Sequence, residues 1–302
     1  MLTNSIYLTG SSGFVGLNLI NFFKDEYSIV NYSKNTPILI NETIVIHLAG
    51  KAHDLKKVSN PEEYYQNNTD LTKKVFDAFL DSDAKVFITL SSVKSVADQV
   101  LGDLIEENIA NPITHYGKSK LLAEQYILSK IIPEGKRVYI LRPCMIHGPG
   151  NKGNLNFLYN FVSMGIPWPL GAYENKRSFC SIDNLIFIIK ELIERDDIPT
   201  GIYNVADDLP LSTNELISIL AESQEKKSSI WHVSKGLIHF AAKLGNVFKL
   251  SLNEESLKKL TETYVVSNKK ILLALGKSLP KSSKDGLLKT FQSFQNKNNY
   301  NK

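Results

Sequence analysis

The chain has 302 residues, enough for one large or two modest domains, and its 35 basic and 31 acidic residues leave a net charge of +4, too balanced to indicate a nucleic-acid partner. Its two cysteines, Cys144 and Cys180, fit no metal spacing and cannot build a disulfide framework, so we expect reduced thiols and no metal site in a cytoplasmic protein. The N-terminus lacks the basic region of a signal peptide, and no apolar run approaches the roughly 18–20 residues that span a bilayer, so we expect a soluble protein without a membrane segment.

The first predicted unit is a strand over residues 6–8, a glycine turn, and a helix over residues 14–23. This geometry offers a phosphate the free N–H groups of a helix N-terminus. Gly10 would adopt backbone angles closed to other residues, Gly13 would let a pyrophosphate approach the main chain, and Gly16 would let the helix pack closely on the strand. The spacing favours dinucleotide binding, with an ordinary turn as the alternative.

Apolar strands and helices then alternate along the first half of the chain. The predicted strands cover residues 27–32, 43–48, 85–90 and 137–141, and the predicted helices cover residues 61–80 and 116–131. Because each strand is a nearly continuous apolar run, we predict a doubly wound parallel sheet covered on both faces, an α/β fold.

The regular alternation of predicted strands and helices ends after Arg142. We predict a helix over residues 182–194, a strand over residues 201–205, and helices over residues 231–248 and 254–264. Ser212 and Glu215 have the spacing of a capping box and predict the start of another helix. This half of the chain therefore predicts a smaller mixed region beside the sheet.

Tyr116 and Lys120 stand four residues apart on a predicted helix and so share one face. A phenol is a poor base because its pKa is about 10, and a nearby ammonium would favour the phenolate. An exposed helix pair is the alternative. The order of the motifs argues against it, since a glycine loop and a strand ending in Ser91-Ser92 precede the pair. The carboxyl ends of parallel strands face the ligand crevice, so Ser92 and Tyr116 could converge there on one hydroxyl or carbonyl.

Over residues 6 to about 206, the sequence resembles the extended short-chain dehydrogenase/reductase family, whose epimerase/dehydratase members modify nucleotide sugars. The matching segments are 9–16, 47–50, Asn68 with Thr72, 90–92, 112–120, 142–143, 147–150, 177–185 and 203–205. The resemblance implies a Rossmann-type dinucleotide-binding domain over residues 1–150, to which residues 178–206 return. A smaller, partly interleaved substrate-binding region would then cover residues 151–302.

The resemblance also implies roles for individual residues. Tyr116 is the expected catalytic acid/base, Lys120 its partner and ribose anchor, and Ser92 the catalytic hydroxyl, with Ser91 as the weaker candidate. Cofactor contacts are expected from Gly10, Ser12, Gly13, Phe14, Val15, Gly16, Ser33, Lys34, Leu48, Ala49, Gly50, Asn68, Tyr116, Lys120, Pro143 and Met145, with Arg142 also on the nicotinamide side. Asn154 and Arg177 are expected to contact the substrate diphosphate, with a turn residue and a surface ion pair as alternatives.

Two departures from the family pattern narrow the reaction. Family dehydratases carry an Asp-Glu pair directly after the catalytic hydroxyl residue, whereas Val93-Lys94 follows Ser92 here, so a dehydratase is not expected. NAD-preferring members place a carboxylate at the end of the second strand, and residues 29–34 contain no acid. Ser33 and Lys34 could instead bind a 2′-phosphate, so NADP(H) is favoured and NAD is the alternative.

The predicted activity is hydride transfer at C4 of a UDP-linked hexose. Ser-Ser-Val-Lys also resembles a subgroup that reduces UDP-4-keto-6-deoxy sugars in polysaccharide synthesis, although that subgroup's continuation, Val-Asn-Gly-Glu, is not kept here. A 4-ketoreductase is therefore favoured, with a UDP-hexose 4-epimerase as the alternative and a non-catalytic NADP-binding sensor as the remote one. The resemblance further suggests a homodimer formed by helices near residues 62–80 and 116–131.

Overall fold

The computed structural model describes residues 4–34, 36–51, 60–151, 154–248 and 253–299. Its centre is a six-stranded sheet formed by β1 (Ser5–Thr9), β2 (Ser28–Asn31), β3 (Ile44–His47), β4 (Val86–Leu90), β6 (Arg137–Pro143) and β9 (Gly201–Val205). Its hydrogen-bonded neighbours are all parallel, and their order in the sheet is β2-β1-β3-β4-β6-β9. The predicted parallel α/β sheet is therefore confirmed.

Alternate residues of each strand enter different cores, which explains the continuous apolar runs. On one face, Ile6 and Ile88 pack with α1 (Phe14–Phe23) and α6 (Ile182–Glu194). On the other face, Tyr7 and Phe87 pack with α3 (Leu71–Asp81) and α4 (His115–Leu128). Since both faces are covered, neither side of the central strands needs polar residues.

The helix predicted over residues 61–80 is interrupted by a π-helical turn. It comprises α2 (Glu62–Tyr64), the π turn Tyr65–Asp70, and α3. A π turn inserts an extra residue into the helical repeat and redirects the side chains around it. Buried Asn68 lies within this turn, and its backbone carbonyl accepts from Thr72 Oγ1 at 2.6 Å. No periodicity in the sequence indicates this insertion.

A second core lies outside the sheet and is formed by the later helices. These are α5 (Asn154–Ser163), α7 (Thr213–Ser223), α8 (Lys235–Phe248), α9 (Glu254–Thr261) and α11 (Ser283–Asn299), with α10 (Lys269–Leu275) packed against the sheet core. The capping box of Ser212 and Glu215 is present at α7. α5, α10 and α11 were not predicted from the sequence. The domain boundary at residue 150 stays a prediction.

Two short parallel pairs join the sheet to the later helices. β7 (Met145–His147) pairs with β8 (Phe179–Ser181), and β5 (Asp103–Leu104) pairs with β10 (Val265–Val266). They hold the chain beyond β6 against the carboxyl ends of the central strands. Among the described residues, no helix is long and apolar enough to cross a bilayer.

Candidate active site

The glycine turn between β1 and α1 forms an open cradle. Gly10 adopts φ +75°, and a Cβ there would lie 2.6 Å from Ala49 N. A Cβ on Gly16 would overlap Gly10 O and lie 2.8 Å from Ser11 Cα, so Gly16 lets the helix approach the turn rather than the strand. Gly13 is the N-cap of α1, and no side chain caps it. Backbone donors at this helix start thus remain available to a phosphate.

The other predicted residues of this turn differ in burial. Ser12 is exposed, whereas Phe14 and Val15 are half-buried and pack against the sheet core. Beyond β2, Ser33 and Lys34 are both exposed, and Ser33 O accepts from Thr36 N at 3.1 Å. Within β2 and these two residues, no carboxylate is available to accept ribose hydroxyls.

The residues directly after β3, Leu48 to Lys51, are held by hydrogen bonds within the protein. Ala49 N donates to Thr9 Oγ1 at 3.0 Å. Asn68 accepts from Lys51 N at 2.7 Å and donates to Lys51 O at 3.1 Å and Ser119 Oγ at 3.0 Å. Asn68 therefore positions this loop, and its predicted cofactor contact stays a prediction.

Gly50 gives this loop its close approach to α4. A Cβ on Gly50 would lie 2.7 Å from Asn68 Oδ1 and 3.1 Å from Lys120 Nζ. Leu48 and Gly50 line the cavity described below. A side chain at residue 50 would thus displace the Lys120 ammonium.

The two serines after β4 are directed to different partners. Ser91 donates to Glu124, which also accepts from Ser95 Oγ at 2.7 Å. Ser92 forms a hydrogen bond with the Tyr116 side chain, and its Oγ accepts from Lys94 N at 3.2 Å. Of the pair, the second serine therefore contacts the tyrosine.

Tyr116 stands in the first turn of α4, which begins close to the Ser92 loop. Thr114 is the N-cap and accepts from Gly117 N at 3.1 Å. A Cβ on Gly117 would overlap Lys94 O and lie 2.7 Å from Pro112 Cβ, so only glycine permits this contact. Burial raises the pKa of Tyr116, and the hydrogen bond with Ser92 opposes that rise.

Lys120 lies one turn further along α4 and is 9% exposed. Its Nζ donates to Leu90 O at 2.9 Å, which holds the ammonium at the end of β4. Burial lowers the pKa of Lys120 to about 8, while nearby Glu124 acts to raise it. A cation here can stabilise a phenolate on the same helix face.

Arg142 was expected on the nicotinamide side, and in the structure its side chain pairs with Glu124. Its Nε lies 3.1 and 3.2 Å from the two Glu124 carboxylate oxygens. The two residues are 5% and 2% exposed, so this is a buried ion pair. Its guanidinium therefore pairs with α4 behind the site and is not among the groups that line the cavity.

Most of these groups meet in a cavity of about 500 Å³ at the carboxyl ends of the strands. The residues that line it include Leu48, Gly50, Lys51, Ser92, Lys94, Tyr116, Lys120, Pro143, Met145, Arg177 and Tyr264. The predicted catalytic residues thus share one space with Pro143, Met145 and Arg177. The glycine turn, Ser33 and Lys34 do not line this cavity.

Arg177 also lines a second cavity of about 460 Å³. Its guanidinium donates to Lys259 O and lies 3.8 Å from Glu262 Oε1. Burial lowers the pKa of Arg177, and Glu262 opposes that shift. The second cavity is mainly apolar and is lined by Leu155, Phe157, Leu158, Phe161, Trp168, Pro169, Leu170, Phe179, Leu211, Leu216 and Leu260 among others.

Asn154, the other predicted contact of the substrate diphosphate, begins α5, but its side chain lies outside the described residues.

Among the residues that line the catalytic cavity, Lys94 and Tyr264 were not predicted from the sequence. Lys94 donates to Asp98 O at 2.9 Å, and its Nζ lies 4.1 Å from the centre of the Tyr264 ring. Burial lowers the pKa of Lys94. Lys94 could have been predicted as a cavity residue, because it lies only two residues after Ser92 in the sequence. No sequence signal pointed to Tyr264, because it lies far along the chain from the other cavity residues. Its hydroxyl donates to Ala97 O at 2.7 Å.

The residues present fit a nicotinamide dinucleotide. The cradle around Gly10 and Gly16 has no room for side chains, and the uncapped start of α1 suits a pyrophosphate. The carboxyl ends of β1 and β3 connect this cradle to Lys120 through the loop at Gly50. Among the described residues, no group of three His, Cys, Asp or Glu side chains could hold a metal ion.

Known proteins share the fold of this chain or are similar to it in sequence. A UDP-glucose 4-epimerase of Vibrio cholerae is 31% identical over 99% of this chain and 98% of its own. The solved structure of MoeE5 with UDP-glucuronic acid and NAD has a TM-score of 0.74 and 18% identity over 97% of this chain and 99% of that one. RMD from Pseudomonas aeruginosa, complexed with NADPH, has a TM-score of 0.71 and 21% identity over 96% of this chain and 98% of that one.

The model of one family matches residues 6–206, which include all of the six-stranded sheet except its first residue, Ser5, and the cavity residues from Leu48 to Ser178. Because this match covers more than half of the chain and the Vibrio cholerae relative aligns along nearly all of it, the chain is an enzyme of the NAD dependent epimerase/dehydratase family.

Proposed function

We propose that this enzyme transfers a hydride at C4 of a UDP-linked hexose and that it works as a reductase of a UDP-4-keto-6-deoxy sugar. The observation that carries the proposal is the hydrogen bond between Ser92 and Tyr116, formed beside the Lys120 ammonium in one cavity. A paired hydroxyl and phenol beside a cation can bind and protonate a carbonyl oxygen.

Each catalytic side chain has a defined role in this proposal. A nicotinamide cofactor, held by the glycine cradle and Lys120, supplies the hydride when bound. Ser92 donates a hydrogen bond to the C4 oxygen and orients the ketone. Tyr116 gives its proton to that oxygen, and the Lys120 ammonium stabilises the phenolate that remains. In the reverse direction, the phenolate takes the proton of the C4 hydroxyl.

Arg177 supports the assignment of a diphosphate substrate. Its guanidinium stands where the catalytic cavity and the second cavity share lining residues. A planar guanidinium suits phosphate oxygens. The Nη1 of Arg177 donates to Lys259 O, and its Nη2 makes only a longer contact of 3.8 Å with Glu262. The nucleoside would then lie in the second cavity and the sugar beside Tyr116. Asn154 is proposed as a further diphosphate contact.

A preference for NADPH as the cofactor would favour net reduction over epimerisation. Net reduction consumes a hydride donor, which in biosynthesis is commonly NADPH. Ser33 and Lys34 are exposed at the end of β2, and the strand offers no carboxylate that would repel a 2′-phosphate. NADP(H) is therefore the proposed cofactor.

A 4-epimerase is the second candidate, because the Vibrio cholerae relative carries that name and aligns over nearly the whole chain. Epimerisation needs the same residues. Tyr116 removes the C4 hydroxyl proton, and the resulting keto sugar must rotate in the cavity so that its ketone is reduced on the other face. The two reactions differ in whether reduced cofactor is consumed.

A UDP-sugar panel tests the proposal. Purified protein is mixed with NADPH or NADH and each sugar, and the absorbance of the reduced nicotinamide is followed together with product chromatography. Consumption of NADPH with a 4-keto-6-deoxy sugar supports the reductase, and interconversion of gluco and galacto isomers without net consumption supports the epimerase. Tight cofactor binding without either reaction would favour the sensor and contradict the proposal.

Tyr116→Phe should lower kcat by about 10²–10⁴-fold while the affinity for cofactor is retained. Tyr126→Phe is the matched control, because Tyr126 is on the same helix and donates to Asp77 outside the cavity. Equal turnover of Tyr116→Phe and Tyr126→Phe would contradict the mechanism.

A further inference from the structure

α8 presents apolar side chains on two different faces. Ile238 and Ala242 are buried in the second core. Leu237, Phe240 and Leu244, here called the outer face, are 64%, 63% and 42% exposed. Their spacing of three and four residues places them together on one side of the helix. A surface helix of an isolated globular protein normally carries polar residues on that side.

An exposed tryptophan precedes this helix. Trp231 is 59% exposed, although its backbone N–H donates to Trp168 O at 2.8 Å and fixes its position in the fold. An indole has a large apolar surface and one N–H donor, a combination that suits the boundary between lipid and water. The outer face therefore has an aromatic neighbour on a rigid backbone.

The segment over residues 226–253 is basic, although Glu225 and Glu254 flank it and Glu254 accepts from Asn246 of α8 at 2.6 Å. Between Glu225 and Glu254, the 28 residues contain five lysines and no acid, so this segment alone carries +5 in a chain of net charge +4. The four lysines that the structure describes here are all exposed: Lys226, Lys227, Lys235 and Lys243. Lys226 donates to Ser163 O at 3.0 Å, and Lys235 lies 5.5 Å from the centre of the Tyr173 ring.

The charge decides between possible occupants of the outer face. A two-fold contact with a second copy would bring one lysine-rich segment against another, and like charges repel. An anionic lipid surface instead attracts lysines and accepts apolar side chains among its headgroups. We propose that α8 and Trp231 dock this enzyme peripherally on a bilayer that contains anionic phospholipid, with the outer face inserted at the headgroup level.

Co-sedimentation with vesicles tests this proposal, independently of the reaction catalysed. The full chain is mixed with vesicles of phosphatidylcholine alone or with about 30% phosphatidylglycerol. We expect binding to the anionic vesicles about tenfold or more above binding to the neutral ones, and a loss of that excess when NaCl is raised to about 0.5 M.

Leu237→Glu combined with Phe240→Glu should lower binding to the anionic vesicles about tenfold or more. Leu273→Glu is the matched control, because Leu273 is 83% exposed on a different helix, and it should bind like the wild type. Lys227→Glu combined with Lys243→Glu should weaken binding without removing apolar groups. Circular dichroism and cofactor affinity check that each variant is folded.

Three results would overturn the proposal. The wild type could fail to bind anionic vesicles above the neutral ones, or the outer-face variant could bind as well as Leu273→Glu. Alternatively, sedimentation velocity without lipid could show that the outer-face variant converts a dimer to a monomer, which would assign the face to a second copy.

Discussion

The buried pair of Glu124 and Arg142 yields a prediction about stability. The carboxylate accepts from Arg142, from Ser95 and from Ser91, and it is 2% exposed. Glu124→Ala would leave the guanidinium buried, and within the described ranges its one other hydrogen-bond contact is from Nη1 to Glu106 O at 3.5 Å. Removing one partner of a buried ion pair costs about 3–5 kcal/mol, since the remaining charge is uncompensated. We expect the free energy of unfolding to fall by that amount.

The corresponding change in melting temperature follows from chain length. An unfolding entropy of about 2.1 cal/mol/K per residue over 302 residues gives about 0.6 kcal/mol/K. The predicted loss therefore lowers Tm by about 5–8 °C, measured by circular dichroism without cofactor. Glu222→Ala is the matched control, because Glu222 pairs with Lys284 at 2.9 Å and both side chains are about half exposed. Such exposed pairs contribute about 0–1 kcal/mol.

A double variant separates the unpaired charge from lost packing. Glu124→Leu combined with Arg142→Met removes both charges and keeps most of the volume, so it should recover much of the stability lost in Glu124→Ala. A shift in Glu124→Ala no larger than that in Glu222→Ala would refute the reasoning. A double variant less stable than Glu124→Ala would assign the loss to packing.

Three further predictions concern the cofactor and catalysis. Burial lowers the pKa of Lys120 to about 8. The rate constant kcat/KM for ketone reduction should therefore fall as pH rises through about 8, because the neutral amine no longer stabilises the phenolate. Lys120→Met should be slow and should lack this decrease with pH. Gly16→Ala should weaken cofactor binding about tenfold or more, since its Cβ would overlap Gly10 O, whereas a Cβ on Gly236 would meet no atom within 4 Å and Gly236→Ala should bind normally in a fluorescence titration. Asn31→Asp, at the exposed end of β2, should shift the ratio of NADPH to NADH affinity towards NADH about tenfold or more, and an unchanged ratio would remove the argument for NADP(H).

The sheet was predictable because its determinants are local. Strands covered on both faces must be nearly continuous apolar runs, so Ile44–His47 and Val86–Leu90 are recognisable without any knowledge of their partners. The glycine spacing and the Tyr-x-x-x-Lys pair are likewise contained in short segments. The parallel fold and the meeting of Ser92, Tyr116 and Lys120 in one cavity follow from the order of these segments along the chain.

Other features depend on residues that are far apart in sequence. The buried ion pair of Arg142 with Glu124 on α4 is not evident from the sequence. Tyr264 lines the cavity from a segment 148 residues after Tyr116. The π turn at Asn68 is stable because its side chain bonds to Lys51 and Ser119, neither of which lies within the turn.

The sequence by itself therefore determined the parallel sheet, the glycine cradle and the meeting of Ser92, Tyr116 and Lys120 in one cavity, since each depends on apolar periodicity or on motifs within short segments. The tertiary structure decided which polar groups face the cavity and which, such as Arg142, pair with buried groups elsewhere. It also decided that α8 keeps an apolar face in water, because the burial of a side chain depends on what packs against it and not on its own identity.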